Sequence, residues 1–413
     1  MPTREALLPP QRLDRTDYLR HEGYLALRYV IAEPSRAQEA LRSTPLTGLG
    51  GAHFAFARKI AGVLSVPAPR VVVCNAAEDE PGSRKDRALL ERNPHIVIEG
   101  AMIAAAAIDA GDIVMYVSQA AGIELDSLLA ALDEVRGSFT LAQRIRIELA
   151  DERYVSGEAT AAVNSINGGD PKPTGQPPYP TERGVDGLPT VVTNCETLAN
   201  LPRIIRAAWV DDQPVWTRLT TVTGDIRTAG VYEIDPYTDT FADLFARAGG
   251  ITGSGQLKAF QPGGPSSRFL GVADAEILIA NDSIRAAGSQ PGCLAIRVIS
   301  TSSCLVEICE EITGFFSREQ CGQCPPCRMK TQSYHRTLQQ IETASGGWDL
   351  LDKLKIIEEF VVDMPHRCSL IDMPTAPVDS ARTLFPQDFA AHIEHGSCAV
   401  PAATVNNPTA RSL

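Results

Sequence analysis

Apolar positions recur at helical spacing over residues 11–42, where Leu19, Tyr24, Leu25, Leu27 and Val30 form a stripe, and Thr44-Pro45-Leu46-Thr47-Gly48 closes the pattern. One or two short helices are predicted there. After the glycine-rich run Gly48-Leu49-Gly50-Gly51-Ala52 the pattern predicts a helix from Phe54 to Leu64, and after Pro67 and Pro69 the β-branched run Arg70-Val71-Val72-Val73-Cys74 predicts a strand. A helix over 94–110 and a strand from Ile113 to Ser118 follow, and 138–155 fits a further strand or helix. Residues 167–190 are rich in Pro and Gly and read as a long functional loop, because apolar structure resumes at Thr190-Val191-Val192. This alternation predicts an α/β layer around a parallel sheet. From about 213 to 300 the texture changes to short segments punctuated by Gly224, Gly230, Gly249 and Gly250. There Leu219–Thr223 and Val231–Ile234 flank a turn, and an amphipathic helix runs from Thr240 to Ala248. That stretch reads as a small α+β module, and 303–395 as mostly helical.

Charge and composition then remove several classes of function. With 38 basic and 50 acidic residues the net charge is -12, so no Lys/Arg surplus is available to neutralise nucleic-acid phosphates. The 44% of hydrophobic and 21% of charged residues are those of a folded chain. The longest wholly apolar run, Ala101 to Ile108, is far short of the roughly 18 to 20 residues of a bilayer span. Met1-Pro2-Thr3-Arg4-Glu5 leads into no apolar signal segment, which makes a cytoplasmic location the expectation.

In a reducing compartment the ten cysteines are read as thiols rather than as a disulfide framework. Cys74, Cys195, Cys293, Cys304, Cys309 and Cys398 are scattered and read as core filler or incidental. Cys321-Gly322-Gln323-Cys324-Pro325-Pro326-Cys327 is different: three thiols at intervals of three sit on a backbone kept irregular by Gly and Pro. Cys368, in His366-Arg367-Cys368, is the nearest downstream candidate for a fourth ligand, with His366 read as a surface histidine. Zinc sites usually pair two C-x2-C units, whereas a triplet with a remote fourth cysteine is the iron–sulfur arrangement, so the spacing favours a [4Fe–4S] cluster over zinc.

A glycine loop before a helix suits a phosphate, since backbone N–H groups and the helix N-terminus face the anion. By itself it is also a simple tight turn, and it lacks the third glycine of a dinucleotide fingerprint. The strand at Val73 ends in Asn75-Ala76-Ala77-Glu78-Asp79-Glu80-Pro81-Gly82, a polar turn at the carboxyl end of a strand, where α/β sheets bind ligands.

Taken together, these segments resemble the flavin-binding, NADH-oxidising subunit of respiratory complex I and its relatives in NAD-linked formate dehydrogenases and hydrogenases. The likeness covers nearly the whole chain. It rests on Asp17-Tyr18 through Arg28, the Gly48 loop, Val73-Cys74-Asn75-Ala76 with Glu78 and Lys85-Asp86-Arg87, Arg153 through Thr160, Pro177-Pro178-Tyr179-Pro180, Asn194-Cys195-Glu196-Thr197, Gln261-Pro262-Gly263-Gly264, and Ser317 through Arg328. The resemblance implies a Rossmann-like FMN domain with N-terminal helices (1–212), a ubiquitin-like β-grasp (SLBB) domain (213–300) and a helical [4Fe–4S] domain (301–398), while the Ala/Pro/Asn-rich composition of 399–413 reads as a disordered tail. It implies an FMN cradle of Gly48, Gly50, Lys59, Asn75, Glu78, Gly157, Glu158, Asn194 and Thr197. NAD(H) contacts fall at Phe54, Glu80 and Tyr179, with Glu80 and Glu158 as the candidate catalytic carboxylates and Cys321, Cys324, Cys327 and Cys368 as cluster ligands. It further implies partners: a thioredoxin-like [2Fe–2S] subunit and another redox subunit in a hetero-oligomeric complex.

The sequence also departs from the family's pattern. His53 replaces a glycine of the loop and Leu49 an arginine, Ala77 an aspartate, Ala159 a glutamate, Thr193 an asparagine and Gln176 a lysine. Two carboxylates and two cations are thereby removed from one pocket. This leaves, as an alternative, a relay or assembly subunit that keeps the cluster but has lost the flavin site.

Overall fold

The computed structural model describes residues 6–67, 69–212, 216–396 and 398; the tail expected over 399–413 lies outside them. The chain divides into two compact units. One takes the residues up to Asp79 with Arg84–Leu219 and Val231–Asp235; the other takes Glu80–Ser83, Thr220–Gly230 and the chain from Pro236 on.

The first unit is built on four parallel strands, β1 (Arg70–Ala76), β2 (Ala110–Ser118), β3 (Ile145–Ala150) and β4 (Thr190–Asn194), in the order β3-β2-β1-β4. The apolar run of β1 is explained by cover on both faces. Val72, Cys74, Ile113 and Met115 belong to one buried cluster, and Val71, Val73, Val114 and Tyr116 to another. Pro94–Ile108 is apolar nearly all round and is buried along its length, as an interior helix must be. It meets the helix Cys195–Ala199 so closely that a Cβ on Gly100 would stand 2.0 Å from the carbonyl oxygen of Leu198. Its one buried carboxylate, Glu99, accepts from the Tyr18 hydroxyl at 2.5 Å and from the backbone N–H groups of Tyr24 and Leu27 at 2.8 and 3.2 Å. Those bonds tie the N-terminal helices to the sheet layer.

The N-terminal stripe forms three helices rather than one or two, Arg15–Arg20, Leu25–Ala32 and Pro34–Ser43, because Pro34 starts a new helix where its missing N–H costs nothing. The ambiguous segment 138–155 resolves into a single-turn helix, Thr140–Arg144, leading into β3.

The small sheet has the order β6-β5-β9-β7-β8, from β5 (Arg218–Gly224), β6 (Gly230–Ile234), β7 (Leu257–Gln261), β8 (Leu270–Gly271) and β9 (Ala295–Ser300). The first and last strands, β5 and β9, run parallel side by side in the middle, and β7 is antiparallel to β9. The helix Phe241–Arg247, opened by a Thr240/Asp243 capping box, lays Phe241 and Phe245 on Phe260 of β7 at centroid distances of 4.6 and 5.4 Å. This is the β-grasp arrangement. The helices Leu305–Glu319, Pro325–Glu342, Asp349–Val361, Thr375–Leu384 and Pro386–His395 follow. Leu305, Ile308, Cys309, Ile312 and Phe316 on the first, and Tyr334, Leu338 and Ile341 on the second, form their buried faces at helical spacing. No described helix is long and apolar enough to cross a membrane.

Candidate functional site

In the parallel sheet the strand order reverses between β1 and β4, and an open α/β sheet binds its ligand at the carboxyl ends of the strands where that happens. Asn75 and Asn194 face each other in register there, with the Asn194 amide donating to the Asn75 carbonyl at 3.5 Å. The Asn75 amide donates to the carbonyl of Gly157 at 2.8 Å, and its side-chain oxygen accepts from Ala77 N at 3.2 Å. A Cβ on Gly50 would stand 3.1 Å from Cβ of Asn194, and one on Gly157 would stand 3.1 Å from the carbonyl of Ala77. The glycine loop is joined to the same place by Leu49 N–H, which donates to Thr197 Oγ1 at 2.9 Å. Gly50, Asn75, Gly157, Asn194 and Thr197 are therefore brought together, with Gly48 on the same loop.

Lys59 lies on the helix Phe56–Leu64, and its Nζ donates to the carbonyl of Val192 on β4 at 2.8 Å. Burial pushes its ammonium from 10.5 down to about 8. Among the described residues no carboxylate forms an ion pair with it. The helix that carries it has no side-chain cap at Ala55, although its first N–H, that of Phe56, donates to the Leu46 carbonyl at 2.9 Å. An under-neutralised cation on a helix whose start lacks a side-chain cap fits a phosphate-bearing group. Buried Ser156 Oγ and Thr193 Oγ1, which lack hydrogen-bond partners, add two polar atoms next to Gly157 and Asn194 in the sequence. The residues present thus fit a flavin mononucleotide.

The two acidic members are committed elsewhere. Glu78 is buried and accepts from Asp86 N and Arg87 N at 3.0 to 3.1 Å, closing the start of the helix Lys85–Arg92. Glu158 is the N-cap of the helix Ala159–Ile166 and accepts from Thr160 N at 2.9 Å and Ala161 N at 3.0 Å. Glu80 groups with the second unit, where a Cβ on Gly264 would stand 2.2 Å from its Oε1; Gly264, at φ +86, leaves that space open. Phe54 and Tyr179 are 48% and 51% exposed, so both rings are available for stacking. The Tyr179 loop is anchored by Thr190 N–H to the Pro180 carbonyl at 2.8 Å.

Beneath the site lies a network that sequence reasoning quoted as motif but did not place in the site. Lys85, fully buried, pairs with Asp86 at 2.6 Å and Glu196 at 2.8 Å and reaches Asn194 Oδ1 at 3.3 Å; the Asn194 amide also donates to Asp86. Burial disfavours its ammonium, but Asp86, Glu196 and Glu78 outweigh that and hold Lys85 well above the ordinary lysine value. Three of the departures from the family pattern are apolar in effect: Ala77 and Ala159 pack against the valine cluster of β1 and β4, and Leu49 is buried.

In the helical region Cys324 is the N-cap of Pro325–Glu342 and Cys327 sits in its first turn, while Cys368 precedes the single-turn helix Ser369–Asp372. Gly322, at φ +82, lets the chain between Cys321 and Cys324 turn back. Burial, then the proximity of Cys368, Cys324 and Cys321, push the Cys327 thiol up to about 12. One turn on, buried Lys330 pairs with Glu358 at 2.7 Å and favours the anionic form of Cys327. Four cysteines, three of them at the start of one helix and the fourth near enough to act on Cys327, with a helix N-terminus and a buried cation, fit an anionic [4Fe–4S] cluster.

Comparison with known proteins agrees with both halves. Residues 41–203 match the Nuo51 FMN-binding domain and residues 307–392 the NADH-ubiquinone oxidoreductase-F iron–sulfur binding region. An NADH-quinone oxidoreductase F-subunit of Rhizobium meliloti is 32% identical, covering 91% of this chain and 93% of that one. An NADP-reducing hydrogenase subunit of Solidesulfovibrio fructosivorans is 29% identical over 96% and 84%. Among solved structures, an NAD+-reducing [NiFe]-hydrogenase in the H2-reduced state aligns with a TM-score of 0.81 at 28% identity, over 94% of this chain and 68% of that one. Since the Mycobacterium tuberculosis F-subunit is 31% identical over 94% of this chain and 92% of its own length, the chain belongs to the NADH-quinone oxidoreductase F-subunit family.

Proposed function

We propose that this chain is the NADH-linked electron-entry subunit of a multi-subunit redox complex, with FMN held at the β1/β4 switch point and a [4Fe–4S] cluster held by Cys321, Cys324, Cys327 and Cys368. The observation that carries the reading is Lys59, a cation with no carboxylate partner beside the strand ends, in a chain whose four clustered cysteines supply a one-electron acceptor. When bound, FMN takes two electrons from NADH as hydride and releases them singly, which is what a [4Fe–4S] cluster accepts.

The protein's part is placement. Lys59 and the backbone N–H groups of Gly50 and Gly51 hold the flavin phosphate. Gly50 and Gly157 let the backbone approach the cofactor, and Asn75, Asn194 and Thr197 fix the strand ends and loop that frame it. Glu78 and Glu158 act as positioning residues, holding the helices Lys85–Arg92 and Ala159–Ile166 at its edge. Phe54 and Tyr179 offer their rings to the nicotinamide nucleotide. The relatives are subunits of larger assemblies, and the partner that fits a single-cluster chain is a thioredoxin-like [2Fe–2S] subunit with a further redox subunit.

The alternative of an empty pocket is not favoured, since the FMN-binding domain match spans Leu49, Ala77, Ala159 and Thr193 together. An anaerobic visible spectrum of the iron-reconstituted protein tests the reading. Flavin absorption over a broad iron–sulfur band, bleached by NADH, is expected; a brown protein without flavin that NADH leaves unchanged would reject it.

A further inference from the structure

At the far end of the helical region from the cluster, three ligand-type side chains that no part of the redox reading uses meet. Cys304, the N-cap of Leu305–Glu319, His392, in the last turn of Pro386–His395, and Cys398 place one ligand atom each within 4.8 Å of one another. Cys304 and His392 are both about 5% exposed, and Cys304 Sγ lies 3.3 Å from His392 Nε2. Gly396, at φ 65, closes the last helix and turns the chain so that Cys398 returns toward its end. All three residues are cysteine or histidine, the donors a borderline-soft cation selects.

The imidazole is oriented for this. His392 Nδ1 lies 3.1 Å from the backbone carbonyl of Glu342, the last residue of Pro325–Glu342. A carbonyl only accepts, so Nδ1 carries the proton and the lone pair is on Nε2, the atom facing the thiols. A second ring nitrogen donating to a backbone carbonyl is the usual support of a metal-bound histidine. The surrounding backbone is fixed as well: Asp388, one turn before His392, accepts from Leu305 N at 3.1 Å and Lys258 Nζ at 2.6 Å. The spacing also suits. With Zn–S near 2.3 Å and Zn–N near 2.0 Å, a tetrahedral centre puts sulfur and nitrogen about 3.5 Å apart and two sulfurs about 3.8 Å apart.

We propose that Cys304, His392 and Cys398 form a three-ligand zinc site, separate from the iron–sulfur cluster, that staples the end of the last helix to the start of Leu305–Glu319. Zinc displaces one proton from each thiol and binds the neutral imidazole, and water fills the fourth position beside partly exposed Cys398. The site is no electron relay: zinc has no redox chemistry, and the helix from Cys327 to Glu342 alone spans roughly 22 Å.

The full chain, expressed with zinc supplied and with its iron–sulfur cluster intact, should contain about one zinc besides about four iron atoms. Zinc-edge X-ray absorption should count two sulfur and two lighter ligands. Cys398→Ser and His392→Gln should each lower zinc about tenfold while iron stays constant. Cys398 lies beyond the last helix, so its variant folds even if replacing buried His392 does not permit folding. Zinc at background in the wild type, zinc retained in Cys398→Ser, a four-sulfur zinc environment, which would place the metal on the cluster cysteines, or a Cys304–Cys398 disulfide in the intact mass would each overturn the proposal.

Discussion

Replacing Lys59 with methionine separates the two consequences of burying a cation in the flavin pocket. The folded chain moves the Lys59 ammonium from 10.5 to about 8, which corresponds to a burial penalty of roughly 3 kcal/mol in the flavin-free protein. Methionine keeps most of the aliphatic stem and removes the charge, though it leaves the Val192 carbonyl without its 2.8 Å donor, a loss of about 1 kcal/mol. The flavin-free variant should therefore be more stable by about 1 to 2 kcal/mol in urea unfolding. FMN binding should move the opposite way, because charge-assisted hydrogen bonds to a phosphate contribute about 1.5 to 3 kcal/mol, or roughly 10- to 100-fold in affinity. The pH dependence carries the same signature. Unfolded Lys59 keeps its proton up to about 10.5 and folded Lys59 only up to about 8, so the penalty is complete below pH 8 and relieved between those values. Stability of the flavin-free wild type should rise across that window while its FMN affinity, flat from about pH 7, where the phosphate is fully ionised, to about pH 8, falls. Both Lys59 trends should vanish in the variant. The assay is a fluorescence-quenching titration with FMN at several pH values, paired with urea melts. Wild-type FMN affinity in the variant, or a variant less stable than its parent, would refute the assignment.

Glu196→Gln should destabilise the protein by about 3 kcal/mol in urea melts, because it removes one of two carboxylates from fully buried Lys85; a change under about 1 kcal/mol would mean the network is not held by charge. Lys330→Met should lower the cluster's reduction potential by tens of millivolts, on the order expected for a nearby buried charge, as read by an EPR-monitored redox titration; an unmoved potential would sever Lys330 from the cluster. Glu158→Ala should cost about 1 kcal/mol in a thermal melt through the lost helix cap, whereas Glu158→Gln, which keeps an acceptor oxygen, should stay within a few tenths; equal losses would argue against the capping role.

What the sequence disclosed depended on whether the signal was local. The cysteine triplet, the β-branched run of β1 and the glycine loop each lie within a few residues, so spacing and period alone made them readable. Asn75 and Asn194 became a register pair only through the fold, and family resemblance rather than pattern had flagged them. The Lys85 network was missed as part of the site because nothing in Lys85-Asp86-Arg87 distinguishes a buried ion cluster from a solvated helix start. Cys304 and Cys398 were set aside as scattered and His392 was not singled out, since 88 residues separate Cys304 from His392 and only the packing of helix ends unites them. The three N-terminal helices were undercounted because one continuous stripe hides the break at Pro34.

The switch point also dictates when the cofactor site can exist. Its two walls, at Asn75 and Asn194, are 119 residues apart in sequence, and β4 reaches β1 only after three crossover connections. Closing so long a loop delays such pairings relative to local helical structure. During synthesis, therefore, a chain ending before β4 presents glycine loop and Lys59 with no opposite wall, and cannot retain flavin. The cluster cysteines, by contrast, span only the stretch from Cys321 to Cys368 and emerge later still. Maturation is then ordered by topology: a chain with its first unit closed is ready for FMN before the last cluster ligand has been translated, so the two cofactors can be loaded as separate events.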